Sequence, residues 1–180
     1  PEMAFSMVGT IEEAIEKAIA SNDSIGGIIE CRITNPPSGL GEPFFNSFES
    51  ALSHLIFSIP AIKGIEFGAG FAAASMKGSK HNDPFIDSSG RTLTNNAGGI
   101  NGGITNGNEI VFKVVVKPTS STGAEQTTFD FSKGTMTSLV VKGRHDTCIA
   151  LRIPVIVEAA AAITLADLFL IDRGIHGLRK

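Results

Sequence analysis

The chain has 180 residues, 42% of them hydrophobic and 18% charged, with a net charge of −3 and a mean hydropathy of +0.18. That length allows one domain with a true core and is short for two independent ones. The slight negative charge excludes the global basic field that drives nucleic-acid binding, so an anion would have to be held by a local cluster of cations and backbone N–H groups.

The first residues, Pro1-Glu2-Met3-Ala4-Phe5, do not read as a natural start and point to a piece of a longer or processed chain. They also do not read as a signal peptide. Thr10 precedes Ile11 to Ala20, with Glu13 three residues on, which is the pattern of a capping box. Ile11, Ile15 and Ile19 recur at helical spacing, so the predicted helix turns an isoleucine stripe inward. Gly26-Gly27 opens a predicted strand over Ile28 to Ile33, and Asn35 to Pro43 is a turn-rich loop.

A second helix is predicted over Phe45 to Phe57, with Phe48, Leu52, Leu55 and Ile56 on its apolar face and Pro60 at its end. Ala61 to Phe67 reads as a strand, and Gly68 to Phe71 leads into a short alanine-rich helix. Between Lys77 and Asn96 the composition is polar, and Asp87-Ser88-Ser89-Gly90 marks a hairpin or a flexible loop. Ile110 to Val116 is β-branched and reads as a buried strand, and Thr135 to Val141 as another. Pro154 starts the last helix, where its missing N–H costs nothing. The apolar run from Ile153 to Ile171 is broken by Pro154, Glu158 and Asp167, so a core helix is expected rather than a membrane span.

The two cysteines, Cys31 and Cys148, are far apart and read as buried small hydrophobes in a reducing compartment. No metal site is expected, because His54, His81 and His176 stand in unrelated contexts. Helix–strand alternation, then strands and one long helix, gives an α/β or α+β domain spanning residues 1–180, with helices layered on a sheet. The low charge implies apolar surface that docks on other protein or on further copies of the chain.

Three segments carry chemistry. Asn95 to Gly107 holds two Gly-Gly pairs flanked by asparagines, which lets backbone approach a flat or anionic ligand; on spacing alone a tight structural turn explains it better. Lys117-Pro118-Thr119-Ser120-Ser121 places an ammonium and three hydroxyls at a strand end, as a phosphate nest or equally as a solvated loop. These two segments flank one strand at opposite ends, so a single compact site needs a neighbouring element or subunit. Gly143-Arg144-His145-Asp146 offers Arg144 for an anion and Asp146 for a proton; the plainer alternative is an Arg–Asp ion pair before the last helix.

Gly39-Leu40-Gly41-Glu42-Pro43, Lys63 to Gly68, Asn96 to Ile104, Lys117 to Ser121 and Gly143 to Asp146 resemble, in order and spacing, the C-terminal half of chorismate synthase. The resemblance implies an α+β, β-α-β sandwich, helices layered on antiparallel or mixed sheet, of which this chain is half of a pseudo-symmetric whole. It also implies a cytoplasmic homotetramer in aromatic amino acid biosynthesis. The implied reaction is the 1,4-elimination of phosphate and a ring proton from 5-enolpyruvylshikimate 3-phosphate, with reduced FMN required and NADPH used only by bifunctional relatives. Neither nucleic acid nor membrane is an implied partner.

Carried over by position, Asp146 matches a carboxylate that assists proton movement, and Arg144 an arginine contacting flavin and substrate. Pro60, Ala61, Gly102, Lys117, Pro118, Thr119, Ser120 and Ser121 fall at flavin-contacting positions. Pro60 stands where relatives often carry a polar residue, and Thr147 replaces a proline expected to set the turn that aims Asp146. The family's Gly-Glu-Ser-His-Gly motif, a second catalytic histidine and several phosphate-binding arginines are absent from these residues. The expectation is therefore a partial site, inactive alone. A non-catalytic α/β domain that binds a phosphorylated ligand or serves assembly is the alternative.

Overall fold

The computed structural model describes residues 10–177, with side chains to residue 174. The readings of Pro1 to Phe5 and of the His176 side chain lie outside the described residues. Helix α1 (Ile11–Ala20) begins at the predicted capping box, where Thr10 accepts from the Glu13 backbone N–H and Glu13 accepts from that of Thr10. Its inward stripe differs from the expected one. Ala14 and Ala18 are buried, Ile15 is partly buried, and Ile11 and Ile19 stay exposed. Small side chains let the helix approach closely along 14 and 18, and the larger isoleucines are displaced to the flanks.

Three strands form the main sheet: β1 (Gly27–Ile33), β2 (Ile62–Phe67) and β5 (Ile110–Val116), in the order β1-β5-β2 with both pairings antiparallel. The short strands β3 (Ile100–Asn101) and β4 (Ile104–Thr105) make one hairpin, and β6 (Gln126–Asp130) and β7 (Thr135–Leu139) another. Strand β6 was not expected. Its neighbour β7 ends at Leu139, two residues before the expected limit.

Helix α2 starts at Phe48 rather than Phe45 (Phe48–Phe57), because Ser47 caps it by accepting the Ser50 N–H at 3.0 Å. A 3-10 turn precedes it at Phe44–Asn46. A single-turn helix, α3 (Gly78–His81), interrupts the polar stretch, and α4 runs Pro154–Gly177.

Period-two alternation in β5 buries Ile110, Phe112, Val114 and Val116, while Val111, Lys113 and Val115 point the other way. The apolar cross-strand partners on the buried face are Ile29, Cys31, Ile33, Ile62, Ile65 and Phe67, all in the same core. Helices α2 and α4 cover this face, α2 over β2 and α4 over β1, and they pack on each other. Phe48, Leu52, Ile56 and Val157 are fully buried between them, each stabilising the fold by about 1.5–3 kcal/mol.

The strand predicted as buried is therefore buried on one side only, since among the described residues the helix pair covers a single face of an antiparallel sheet. Glu30, Lys113 and Glu66 stand across from one another on the open side, with Lys113 Nζ 3.5 Å from Glu66.

Helix α4 likewise is only half a core helix. Val157, Ala160, Ala161, Thr164 and Leu168 are buried, whereas Val155, Ile156, Ile163, Leu170 and Ile171 are exposed. From Pro154 to Gly174 its length and mean hydropathy of 2.0 would suffice to cross a membrane, a test that core helices also pass.

Candidate functional site

The glycine-rich segment folds as the β3–β4 hairpin. Gly102 and Gly103 occupy its two-residue turn with φ of 60° and 84°, a pair of left-handed conformations that this turn type demands. The Gly103 carbonyl accepts the first N–H of α2, from Phe48, at 2.8 Å. Thr105 Oγ1 accepts from Leu40 N–H at 2.9 Å and donates to Pro37 O at 2.7 Å. The hairpin thus binds the 35–43 loop to the start of α2, and Gly102 faces outward, with nothing within 4 Å of where a Cβ would stand.

Lys117 follows β5 at its other end. Seven residues of strand, at about 3.3 Å each, separate it from Gly102's hairpin by some 20 Å. As the sequence implied, the structure does not bring these two segments together.

It does bring Pro60-Ala61 to Lys117. The Lys117 N–H donates to Ala61 O at 2.9 Å, immediately beyond the pairing of Ile62 with Val116. Ala61 has φ of 72°, uncommon for a residue with a Cβ, and sits beside the register shift between Ile62 and Gly64. Lys117 Nζ turns back to Ser120 Oγ at 3.1 Å. The Thr119 carbonyl accepts from Ser24 Oγ at 2.6 Å, while Thr119 Oγ1 is buried without a hydrogen-bond partner.

A cleft of about 660 Å³ opens here, lined by Lys117 to Ser120 together with Asp23, Ser24, Glu125 and Gln126. Its charge is mixed. Asp23 is turned onto the Ser24 N–H at 2.8 Å and Glu125 accepts from Ser138, so the carboxylates are engaged while Lys117 supplies the cation.

The Gly143-Arg144-His145-Asp146 segment lies next to this cleft. A smaller one of about 200 Å³ is lined by Ser121, Thr122, Gly143, His145 and Thr147, and shares Asp23 and Ser24 with the first. His145 Nε2 is 2.9 Å from the Val141 carbonyl, which fixes the ring as a local brace. Asp146 pairs with Arg152 Nε at 3.2 Å; Arg144 is exposed and makes no ion pair among the described residues. The Arg–Asp pair foreseen before the last helix exists, but Arg152, in the 3-10 turn Ile149–Arg152, takes the place expected of Arg144. Thr147, where a proline was expected, keeps its carbonyl fixed by the Ile25 N–H at 2.9 Å.

Sequence reasoning missed Asp23, Ser24, Thr122 and Arg152. Ser24 lies two residues before Gly26-Gly27, which reads simply as a strand opening; its partner Thr119 is 95 positions away. Among the described residues no group of three histidine, cysteine or acidic side chains could hold a metal. Cys148 is buried and Cys31 half-buried, both free, and burial followed by the charge of Glu158 pushes the Cys31 thiol pKa up.

A sequence model of the family described as Chorismate synthase matches residues 3–170. A chorismate synthase of Chitinophaga pinensis is 61% identical over 162 residues, covering 90% of this chain and 49% of the relative. One from Dehalococcoides mccartyi is 49% identical over 174 residues, covering 94% of this chain and 47% of its own length. A solved structure titled Crystal Structure of Chorismate Synthase superposes with a TM-score of 0.72 at 31% identity, over 91% of this chain and 43% of that one. The chain spans about half the length of the curated relatives it matches.

Proposed function

This chain belongs to the chorismate synthase family, and on that premise we propose that it carries part of the site where 5-enolpyruvylshikimate 3-phosphate is converted to chorismate. The reaction breaks the C–O bond to phosphate and removes one ring proton, a 1,4-elimination with no net oxidation. Reduced FMN, when bound, supplies electron density that eases the departure of phosphate and is restored as the proton leaves. NADPH enters only if the enzyme reduces its own flavin.

The observation that supports this reading is that Lys117 to Ser121, Gly143, His145 and Thr147 line two clefts that share Asp23 and Ser24, with Ala61 bonded to the Lys117 N–H. Arg144 and Asp146 stand in the adjoining segment and line neither cleft. The residues fit a flavin in one specific respect. Thr119 Oγ1 is buried and unpartnered, a costly state that a polar ligand atom relieves. Thr119, with Ser120, Ser121, Pro118 and Lys117, would hold the cofactor, and Pro60 and Ala61 would offer backbone. Gly102, at the far end of β5, would reach it only from another copy or another part of the enzyme.

Exposed Arg144 would bind the anionic groups of flavin and substrate, and Asp146 would accept the ring proton. Arg152 Nε holds Asp146 at 3.2 Å, and Asp146 must leave that pair or share it to act. Residues 1–180 would form one domain of a cytoplasmic homotetramer, with neither nucleic acid nor membrane as partner.

A second reading is favoured by two observations: Asp146 is already paired, and α4 exposes a broad apolar face. Under it the chain is a non-catalytic domain for binding a phosphorylated ligand or for assembly. A steady-state assay with reduced FMN separates the two. The chain alone should not turn over, whereas these residues joined to the remaining half of a relative should; normal turnover by the chain alone would refute the partial-site account.

A further inference from the structure

The turn between α1 and β1 touches both candidate ligand segments, one residue after another. Ser24 Oγ donates to Thr119 O at 2.6 Å, in the first segment. Ile25 N–H donates to Thr147 O at 2.9 Å, in the residue that directly follows the second. A Cβ on Gly26 would stand 2.4 Å from Val116 O and 3.1 Å from the Pro118 ring, so only glycine lets the turn lie against the base of the Lys117 loop. A Cβ on Gly27 would stand 2.8 Å from the Cβ of Ala150, in the same 3-10 turn that carries Arg152, the partner of Asp146. Residues 24 and 26 thus meet the Lys117 loop or its base, while residue 25 meets the end of the second segment and residue 27 the 3-10 turn that follows it.

We propose that Ser24 is a positioning residue, the clasp of a brace formed by residues 23–27 that sets the Lys117–Ser121 loop and the Arg144–Asp146 segment in fixed relation. Ser24 lines both clefts and acts on the Lys117 loop through the Thr119 carbonyl. By holding that carbonyl it fixes the peptide from which the Thr119 side chain projects, and so the direction in which the unpartnered Oγ1 is presented. The Asp23 carboxylate accepts the Ser24 N–H at 2.8 Å, which holds the turn that aims the Ser24 hydroxyl. The proposal deepens the functional reading above and rests on it for the nature of the ligand.

The test uses an enzyme of the relatives' full length, these residues joined to the part of the Chitinophaga pinensis relative that they do not match. FMN affinity is measured by flavin fluorescence quenching, and the thermal midpoint without FMN is recorded beside it. Ser24→Ala should weaken FMN binding by about 3- to 10-fold, the effect of one lost hydrogen bond. Ser24→Thr, which keeps the hydroxyl, should restore affinity to within about twofold and should restore the FMN-free midpoint, which Ser24→Ala lowers slightly. If the unsubstituted enzyme binds no FMN, the functional reading itself falls. If it binds and Ser24→Ala binds equally well, only the positioning role falls. Equal losses in Ser24→Ala and Ser24→Thr that follow a lowered midpoint also overturn it, because a generally weakened fold would then account for them.

Discussion

At the scale of single residues, Thr119 and Asp146 carry the account, and the sequence exposed them unequally. Asp146 is legible as a carboxylate beside an arginine and a histidine, but its partner Arg152 lies six positions on, across a 3-10 turn that the sequence does not announce. Thr119 is legible only as one hydroxyl among three; that its Oγ1 is the buried, unpartnered one is set by the fold. Two substitutions follow. Thr119→Val removes the orphaned hydroxyl, so it should leave the FMN-free protein as stable or about 1 kcal/mol more stable by chemical denaturation, while FMN affinity falls. Asp146→Asn in the full-length enzyme should lower kcat by about 100-fold or more with the fold intact, the usual loss when a positioned proton acceptor is removed. Unchanged kinetics would remove Asp146 from the mechanism.

At the scale of elements, the strongest patterns survived folding: the capping box of α1, the limits of β5, and Pro154 at the start of α4. The errors concern which faces are covered, because period and propensity report a segment's own amphipathicity and not its neighbours. The isoleucine stripe of α1 fails for that reason, and β5, read as a buried strand, is buried on one face. The β3–β4 turn shows what a glycine motif does for structure. Gly103→Ala would set a Cβ 2.5 Å from the Ser47 Cβ at a φ of 84°, so it should cost about 1–3 kcal/mol in chemical denaturation. Gly102→Ala meets no atom within 4 Å and bears only the backbone strain, so the smaller loss is expected there.

The polar stretch read as a hairpin or flexible loop is the hairpin. Phe85 bridges Thr92, and Ile86 N–H donates to Arg91 O at 2.8 Å. Asp83 anchors its base. Burial alone would raise the Asp83 pKa, but donors from Ala97, Thr94 and Asn96 outweigh it and hold the group below the ordinary 3.8. A depressed carboxylate contributes stability above its unfolded pKa and loses it as pH falls through the folded one. Protection of the Asn96 and Ala97 amides against hydrogen exchange should therefore persist at neutral pH and decline from about pH 3.8 downward. Asp83→Asn should show the reduced protection at every pH.

At the scale of the whole molecule, the described residues leave much apolar surface open. Phe44, Phe45, Phe71 and Phe131 are each more than four-fifths exposed, and the outer face of α4 adds Val155, Ile163 and Leu170. A free monomer rarely carries so much, so the chain alone should bind a hydrophobic dye strongly and self-associate in sedimentation. The low charge foretold this in kind but not in place, since composition does not say which face stays open. The central claim is that these residues hold part of a composite flavin and substrate site. Its most direct test is an FMN titration by fluorescence quenching of the chain alone and of the chain mixed with the complementary half of the Chitinophaga pinensis relative. The account predicts tight binding only in the mixture. Binding in neither would contradict it and favour the assembly domain; equally tight binding by the chain alone would show that the site is not shared.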